Sequence, residues 1–290
     1  MTPDAGKLLV GLIGAGIQRS LTPAMQEEEA RHHGLRLHYQ LIDLDQTPGA
    51  VQQLPALLAA ARIMGFAGLN ITYPCKQAVL PLLDALSPEA EAMGAVNTVV
   101  IQDGRMVGHN TDGSGWAWGL RRSLPDADLS CVVLLGAGGA GSAIADAVLR
   151  LGAGQLRVVD TDLSRAGALA AALNTRFGGR VSALGDAAQA LAGATGLIHA
   201  TPTGMDKLPG LPIEAALLRP PLWVSEIVYF PIDTALLQAA RAAGCATMDG
   251  GAMAVGQAVG AFELFTGLKA DAERMGRHFR QLLAARTGAG

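Results

Sequence analysis

The chain has few cysteines, no excess of positive charge and no clustered histidines. Its 3 cysteines, Cys75, Cys131 and Cys245, are far apart and odd in number, which excludes a disulfide framework and indicates reduced thiols in a cytoplasmic protein. Lys and Arg number 22 against 25 Asp and Glu, a net charge of −3, so the chain lacks the basic field that nucleic acid requires. The 6 histidines show no metal-ligand spacing, and we expect no bound metal.

Long apolar runs are absent as well. No run reaches the roughly 18 residues that a membrane-spanning helix needs, and Met1 to Lys7 do not have the pattern of a signal peptide. What the chain does have is 290 residues, of which 50% are hydrophobic, enough for two domains with sizeable cores. We therefore expect a cytoplasmic monomer or homodimer whose partner is a small molecule, not nucleic acid or a membrane.

A glycine cluster stands between an apolar stretch at 131–135, predicted to be a strand, and a helix predicted at 141–151. Its residues have the spacing G-x-G-x-x-G and are Gly136, Ala137, Gly138, Gly139, Ala140 and Gly141. The first glycine of such a motif permits a sharp turn, the second lets a pyrophosphate approach the backbone, and the third lets the helix pack close to the sheet. The following strand ends at Asp160, about 20 residues on, where an acidic residue holds a ribose 2′-hydroxyl. The pattern predicts a dinucleotide site, with a purely steric glycine turn as the alternative.

A second glycine loop, Gly14-Ala15-Gly16, follows the first predicted strand. We do not interpret it as the dinucleotide site, because Arg19 replaces the third glycine and Pro23 stands where the helix would already run. The hydroxyls of Ser20 and Thr22 at the start of the next helix leave two interpretations. They bind an anion, or Thr22 simply caps the helix.

Strands and helices alternate from 131 to 249, which predicts right-handed crossovers and a parallel sheet. Thr201 and Pro202 follow a strand of this segment, at the edge where doubly wound sheets bind ligands. The N-terminal half contains further strands, including a hairpin around Asp103-Gly104. The predicted α/β division is 1–113 as a substrate-binding catalytic domain, 114–249 as a dinucleotide-binding Rossmann domain and 250–290 as C-terminal helices that pack on the first domain.

Two charged residues stand where a helix begins. Lys76 precedes a helix predicted over 77–83, where a cation opposes the helix dipole, so it is either functional or a solvated surface lysine. Asp112 precedes a helix predicted over 116–124 and is either part of an N-capping cluster or a carboxylate at the edge of a cleft. The residues alone leave both pairs of alternatives open.

Several short stretches, each modest alone, occur in a characteristic order. They are Ser20–Pro23, Asn70–Lys76, Gly94–Thr98, Gly108–Gly113, Gly136–Gly141, Ala200–Met205, Val228–Tyr229 and Met253–Phe262. This series resembles the shikimate/quinate dehydrogenase family over nearly the whole chain. The resemblance implies an N-terminal α/β substrate domain and a Rossmann-like doubly wound dinucleotide domain, with C-terminal helices returning to the first. It also implies hydride transfer between a ring secondary alcohol and a nicotinamide.

The resemblance assigns roles residue by residue. Lys76 and Asp112 match the catalytic pair, with Lys76 as the main proton-transfer group and His109 as a less favoured proton carrier. The substrate-binding positions are Ser20 and Thr22 for a carboxylate, Asn70, Thr72, Asn97 and Gln257 for ring hydroxyls, and Tyr229 near the carboxylate. The cofactor-binding positions are Gly136, Ala137, Gly138, Gly139, Ala140, Gly141, Asp160, Arg165, Thr201, Pro202, Val228 and Gly251.

Two departures from the common family pattern indicate a branch. The NADP-dependent enzymes carry Asn-Arg-Thr after the second dinucleotide strand, whereas this chain has Asp160-Thr161-Asp162. A carboxylate accepts a hydrogen bond from a 2′-hydroxyl and repels a 2′-phosphate, so NAD is the predicted cofactor. Thr22 replaces a serine, which resembles the NAD-dependent quinate/shikimate branch and predicts use of both acids. The alternatives are an NADP-using biosynthetic shikimate dehydrogenase, an enzyme for a related acid such as aminoshikimate, and a binding protein that has lost its chemistry.

Overall fold

The structure, a computed structural model, describes residues 6–46 and 49–287. The expectation that the first residues are not a signal peptide falls largely on 1–5, which lie outside the described residues. The chain divides into two compact units, and each is described by itself. The first contains the described residues up to Thr111 and those from Gln257 onward, and the second contains Asp112–Gly256.

The first unit is built on a mixed sheet. Its N-terminal part contains β1 (Lys7–Gly14), α1 (Thr22–His32), β2 (Arg36–Asp43), α2 (Leu54–Ile63), β3 (Gly68–Ile71), α3 (Cys75–Ala78), β4 (Ala85–Leu86), α4 (Pro88–Met93), β5 (Thr98–Gln102) and β6 (Arg105–His109). The strands of this six-stranded sheet lie in the order β2-β1-β3-β5-β6-β4. β1 is parallel to β2 and β3, while β5 is antiparallel to β3 and β6.

In the β5–β6 hairpin and in the helix after β3, individual residues determine the local backbone structure. Asp103 and Gly104 have φ of 51° and 74°, the left-handed conformations that a two-residue hairpin turn requires. The predicted continuous helix over 77–83 is wrong, because α3 ends at Ala78 and a separate 3-10 turn covers Leu80–Leu82. Pro81 explains the break, since proline has no N–H to donate and its ring clashes with the preceding helical turn.

The second unit is a doubly wound parallel domain, as predicted. It contains α5 (Asp112–Ser123), β7 (Cys131–Leu135), α6 (Gly139–Arg150), β8 (Gln155–Val159), α7 (Leu163–Phe177), β9 (Val181–Leu184), α8 (Ala187–Leu191), β10 (Gly196–His199), β11 (Trp223–Glu226), α9 (Ala235–Ala242) and β12 (Ala246–Met248). The six strands lie in the order β12-β11-β10-β7-β8-β9, and all neighbours are parallel. This is the Rossmann order, with the switch point between β7 and β10.

The central strand of this unit is buried on both faces. Successive side chains of a strand point to opposite faces, and in β7 Val132 and Leu134 join one apolar cluster while Val133 and Leu135 join another. A strand covered on both sides reads as a continuous apolar run, which is why the stretch before the glycines is uniformly hydrophobic.

The last two helices are α10 (Gly250–Thr266) and α11 (Ala272–Thr287). The division between the units falls inside α10, after Gly256. Ala261 and Phe265 of α10 pack in one cluster with Val10, Leu12 and Tyr39 of the first sheet. The C-terminal helices therefore return to the first unit, as the resemblance implies. In the described part of the chain, no helix is both long and apolar enough to cross a membrane.

A buried ion pair attaches α11 to α1 within the first unit. The Glu29 side chain is fully buried, and its carboxylate accepts hydrogen bonds from Arg274 Nη2 at 2.7 Å, Arg274 Nε at 2.8 Å and the Asp271 N–H at 2.8 Å. Burial raises the pKa of Glu29, but the hydrogen bonds from Arg274, Asp271 and His33 outweigh it, and the pKa lies below its ordinary value.

We expect Arg274→Met to lower the free energy of unfolding by about 3–5 kcal/mol at pH 7, because the Glu29 carboxylate would stay buried without its partner. Since folding lowers the pKa of Glu29, the stabilisation is present above its ordinary pKa of about 4.3 and is lost as the pH falls below that value. Urea unfolding at pH 7 and pH 3 should therefore show the difference between the two proteins shrinking in acid. Arg31→Met, which breaks an exposed pair with Glu28, is the control and should cost less than about 1 kcal/mol. A pH-independent difference for Arg274→Met would contradict this account.

Candidate active site

The glycine loop of the second unit lies between β7 and α6. Gly136 has a φ of 101°, and a Cβ there would lie 2.7 Å from the carbonyl oxygen of Ala200. A Cβ on Gly141 would overlap the carbonyl oxygen of Gly136, whereas a Cβ on Gly138 would meet no atom within 4 Å. Sterics therefore explain Gly136 and Gly141, while Gly138 borders open space of the kind a phosphate needs. No side chain caps the first turn of α6 at Gly138, which leaves a helix N-terminus suited to an anion.

Asp160, directly after β8, is held against this loop. Its Oδ2 accepts the Ala137 N–H at 2.8 Å and its Oδ1 accepts the Asp162 N–H at 2.9 Å. Asp162 caps α7 by accepting the N–H groups of Ser164 and Arg165. The Ser164 hydroxyl, and then the Arg165 N–H, lower the pKa of Asp162. The end of β8 is therefore an acidic corner that can accept hydrogen bonds.

Arg165 is the cation of this corner. Its guanidinium nitrogens lie 3.7 Å from Asp160 Oδ1 and 3.6 Å from Asp162 Oδ2, and the side chain is half exposed. Both distances exceed those of a direct hydrogen bond. Arg165 therefore partly offsets the negative charge of the two carboxylates without forming a direct hydrogen bond to either.

The predicted cofactor residues after β10 and β11 are joined by a buried network that the sequence analysis missed. His199, the last residue of β10, contacts Glu226, the last residue of β11, and also the hydroxyl of Thr201. The Val228 N–H donates to Glu226 Oε1 at 2.9 Å. The available signal was a histidine and a glutamate, each at the end of a short, buried strand.

The remaining predicted cofactor positions lie at the same edge or on the surface. Gly251 is buried in the first turn of α10 and donates its N–H to Asp249 Oδ1 at 2.9 Å. A Cβ on the neighbouring Gly250 would overlap the carbonyl oxygen of Val228, so this helix start packs tightly on the segment after β11. Pro202 is exposed.

The start of α1 corrects one interpretation. The N-cap residue is Leu21, no side chain caps the helix, and Thr22 is the first helical residue. The Thr22 N–H donates to Ser20 Oγ at 3.3 Å. The interpretation of Thr22 as a simple N-cap is therefore wrong. The helix begins at Thr22, and Pro23 is its second residue, in the first turn, where a proline removes no intrahelical hydrogen bond.

Asn70 and Asn97 lie together in a buried hydrogen-bond network of the first unit. Asn70 Nδ2 donates to the Asn97 carbonyl at 3.2 Å and to Thr98 Oγ1 at 3.0 Å, and Asn70 Oδ1 accepts the Tyr39 hydroxyl at 2.7 Å. Asn97 Nδ2 donates to Thr111 Oγ1 at 2.9 Å. Both amides are thus fixed in orientation, and the network includes three residues that sequence reasoning did not identify.

Gln257 joins the same network through its backbone. The Thr111 hydroxyl donates to the Gln257 carbonyl at 3.1 Å, across 146 residues of chain. This contact connects a predicted ring-hydroxyl residue of α10, through Thr111, to the network that contains Asn70 and Asn97. Local sequence patterns cannot predict a contact between residues so far apart in the chain.

Thr72 and Lys76 follow β3 in the first unit. The Thr72 N–H donates to the Ile13 carbonyl at 2.9 Å, so Thr72 lies where the parallel strands β1 and β3 both end. Lys76 is half-buried on α3, and its carbonyl accepts the Val96 N–H at 2.9 Å. That bond fixes α3 to the segment that leads into Asn97.

Asp112, Tyr229 and His109 complete the predicted set. Asp112 is buried in the first turn of α5, which begins earlier than predicted, and belongs to the second unit. Tyr229 also belongs to the second unit, and its ring packs against Phe230 at 4.9 Å between centroids. His109 ends β6, and burial, opposed by Glu89, lowers its pKa.

Comparison with known proteins identifies the family. The shikimate dehydrogenase substrate binding domain matches residues 12–99. The chain is 57% identical over 95% of its length and 95% of the relative to a shikimate dehydrogenase (NADP(+)) of Streptomyces avermitilis. It is 50% identical, over 95% of its length and 98% of the relative, to a quinate/shikimate dehydrogenase (NAD(+)) of Corynebacterium efficiens.

A solved structure of the same family also matches this chain. The quinate dehydrogenase from Corynebacterium glutamicum in complex with NAD matches with a TM-score of 0.89 and 47% identity, covering 95% of this chain and 99% of that one. The Rossmann strand order and the glycine loop described above agree with a dinucleotide enzyme. The chain belongs to the shikimate/quinate dehydrogenase family and is a nicotinamide dinucleotide dehydrogenase that acts on a small molecule.

Proposed function

We propose that the protein is an NAD-dependent dehydrogenase that reversibly oxidises the ring secondary alcohol of quinate, shikimate or both to the 3-dehydro ketone. The observation that carries the proposal is the acidic end of β8, where Asp160 accepts a hydrogen bond from the glycine loop and Asp162 lies beside Asp160. A ribose 2′-hydroxyl can donate to such carboxylates, whereas a 2′-phosphate would be repelled by them.

The residues present fit the dinucleotide. Gly138 borders open space, α6 offers an N-terminus without a side-chain cap, and Asp160 holds the glycine turn through the Ala137 N–H. We assign the pyrophosphate to this helix start and the adenosine ribose to the end of β8. When bound, the nicotinamide supplies the hydride acceptor.

Lys76 and Asp112 carry the proton chemistry in this proposal. As hydride leaves the ring carbon, one group must take the hydroxyl proton, and the same group returns it in the reverse reaction. Lys76 is the main proton-transfer group, held half-buried by the attachment of α3 to the segment before Asn97. Asp112 orients the reacting hydroxyl. Lysine and aspartate are both side chains that general acid–base catalysis uses.

The amide network supports a polyhydroxylated ring as substrate. Both Nδ2 protons of Asn70 are donated within the protein, and Oδ1 accepts one bond from Tyr39. A carbonyl oxygen has two lone pairs, so Asn70 can offer a ring hydroxyl an acceptor but no donor. Asn97, Thr72 and Gln257 are the other positions that we assign to ring hydroxyls.

Ser20 and Thr22 are assigned to the substrate carboxylate. They lie at the start of α1, where the N-cap residue Leu21 offers no side-chain acceptor and the helix dipole favours an anion. Quinate carries a hydroxyl on the carbon that bears its carboxylate. The extra methyl of Thr22, relative to serine, reshapes the space around that carbon, and we expect both acids to be used. Tyr229 is assigned to the same end of the substrate.

A second candidate is an NADP-using shikimate dehydrogenase. The relative from Streptomyces avermitilis carries that name, and Arg165 offers a cation near the end of β8. A dehydrogenase of a related acid such as aminoshikimate would need a change at one ring position only. Both alternatives keep the dehydrogenase chemistry. The first differs from the proposed function in the contact with the adenosine ribose, and the second in the contact with one ring substituent.

The deciding experiment measures initial rates with quinate and shikimate, each with NAD and NADP. We expect kcat/KM to be at least about tenfold higher with NAD, equivalent to about 1.4 kcal/mol. Arg165→Ala should widen that ratio, because it removes the cation that offsets the carboxylates. Equal values for NAD and NADP would reject the cofactor assignment. Absence of activity in all four combinations would point to a related acid.

A further inference from the structure

Two ionisable side chains are buried where β10 and β11 end, and the proposed reaction uses neither. His199 and Glu226 are direct neighbours in the register of these parallel strands. Both side chains are 0% exposed. His199 Nδ1 lies 2.9 Å from Glu226 Oε1 and 3.0 Å from Oε2. An apolar pair would fill this place without burying two ionisable side chains, so stability alone does not explain their presence.

The hydrogen-bond network assigns the protons of this pair. Glu226 Oε1 accepts the N–H groups of Ile227 and Val228 at 2.8 and 2.9 Å, and Oε2 accepts the Thr234 hydroxyl at 3.0 Å. Both carboxylate oxygens accept hydrogen bonds from these donors, so His199 Nδ1 is assigned as a donor to Glu226. The other ring nitrogen then faces Thr201.

Thr201 is the outer member of this series. His199 Nε2 lies 2.5 Å from Thr201 Oγ1, which also accepts the Thr203 N–H at 3.3 Å. The series Glu226–His199–Thr201 therefore connects the loop after β10 with the segment after β11. The buried imidazole of His199 fixes the Thr201 hydroxyl in the loop after β10. Through Glu226 it also fixes the backbone of the segment after β11.

The strand order places this network under one half of the dinucleotide. In Rossmann sheets the two halves of the cofactor lie on either side of the switch point, here between β7 and β10. The proposed function puts the adenosine ribose at Asp160, after β8. The nicotinamide half then lies on the opposite side, over the ends of β10 and β11. Gly136 packs on the backbone of Ala200, so the glycine turn and the loop that carries Thr201 are in direct contact.

We propose that His199, held by Glu226, is a positioning residue for the nicotinamide half of the cofactor. It does not contact the cofactor but fixes the Thr201 hydroxyl and the Ile227–Val228 backbone in one arrangement before binding. Preorganised groups lose less entropy when a ligand binds, so loss of the connection weakens binding. The inference rests on the proposed dinucleotide site and adds to it a residue with no expected contact to the ligand.

The test compares the binding of NADH with that of ADP-ribose, which lacks the nicotinamide, by titration calorimetry. Thr201→Val removes the hydroxyl and leaves the Glu226–His199 pair intact, while His199→Phe removes the imidazole. We expect each variant to weaken NADH binding about tenfold and ADP-ribose binding less than about twofold. Both substitutions remove the same hydrogen bond, so their effects should not add. The double variant should bind NADH about as tightly as the single variant with the lower NADH affinity.

Two further variants separate positioning from stability. Asp146→Asn alters another fully buried carboxylate of the same unit, which pairs with Arg150 and Arg176, and should lower Tm without changing the ratio of the two affinities. Asp160→Ala should weaken both ligands. If His199→Phe does not fold, Glu226→Gln, which keeps the size of the side chain but weakens its bond to His199, is tested in its place, and its ratio of affinities decides the matter.

Three outcomes would overturn the inference. They are equal weakening of NADH and ADP-ribose by Thr201→Val, additive effects in the double variant, and full NADH affinity in Thr201→Val and His199→Phe. Failure of the unsubstituted protein to bind either ligand would instead reject the proposed dinucleotide site, and the inference with it. Activity assays would add a KM for NAD that rises while kcat changes little.

Discussion

Replacing Lys76 with methionine should lower kcat by about 10²–10⁴ while NADH still binds with its normal affinity. Methionine keeps the length of the side chain but cannot carry a proton, and general acid–base catalysis contributes about this factor. Steady-state rates with quinate and shikimate, together with NADH titration, measure the two effects separately. A Lys76→Met enzyme with near-full turnover would end the assignment.

The exposed residue Lys269 provides the matched control. Lys269→Met makes the same chemical change at a surface position that no step of the proposal uses, and kcat should stay within a factor of two. Similar Tm values for the two variants would show that loss of turnover at Lys76 is not loss of folding. Asp112→Asn should also lower kcat. Its effect should not add to that of Lys76→Met, because both act on one proton transfer.

Replacing Gly141 with alanine should weaken NADH binding by at least about 100-fold, or about 2.7 kcal/mol, and also lower the free energy of unfolding by about 1–3 kcal/mol. A Cβ at this position would overlap the carbonyl oxygen of Gly136, which is backbone and cannot move without displacing the glycine turn. The same shift would disturb the Ala137–Asp160 hydrogen bond and the open space at Gly138. NADH titration and urea unfolding measure the two losses.

Gly167 supplies the control for this substitution. It lies inside α7, and a Cβ there would meet no atom within 4 Å. Gly167→Ala should leave NADH binding unchanged and stabilise the protein by up to about 1 kcal/mol, since alanine is the better helix former. If Gly141→Ala bound NADH within threefold of the unsubstituted protein, the turn would not be the cofactor site.

Much of the second unit could be predicted from local pattern. A fully apolar stretch before a G-x-G-x-x-G turn predicts a buried parallel strand and a helix, and β7 and α6 have that arrangement. The hairpin at Asp103-Gly104 could be predicted for a similar reason, since two adjacent residues favour left-handed backbone there. The helix predicted over 77–83 is wrong because the effect of Pro81 was overlooked, although its signal is local.

Residues that act through distant partners could not be found in this way. Tyr39 orients Asn70 across 31 positions, and Thr111 reaches Gln257 across 146. Nothing near Tyr39 in the sequence distinguishes it from an ordinary strand tyrosine. Its role depends on the order of the strands in the sheet, which brings the Tyr39 hydroxyl of β2 within reach of Asn70 on β3.

The sequence by itself determined the backbone of the glycine loop, the acidic residue after β8 and the order of the family motifs, because each is set by neighbouring residues. Only the tertiary structure decided that His199 meets Glu226, 27 positions away, and that the pair reaches Thr201 and Val228. The register of β10 against β11 makes that contact, and register is set by packing over a whole sheet. A buried imidazole becomes a positioning group only when the fold supplies its partner.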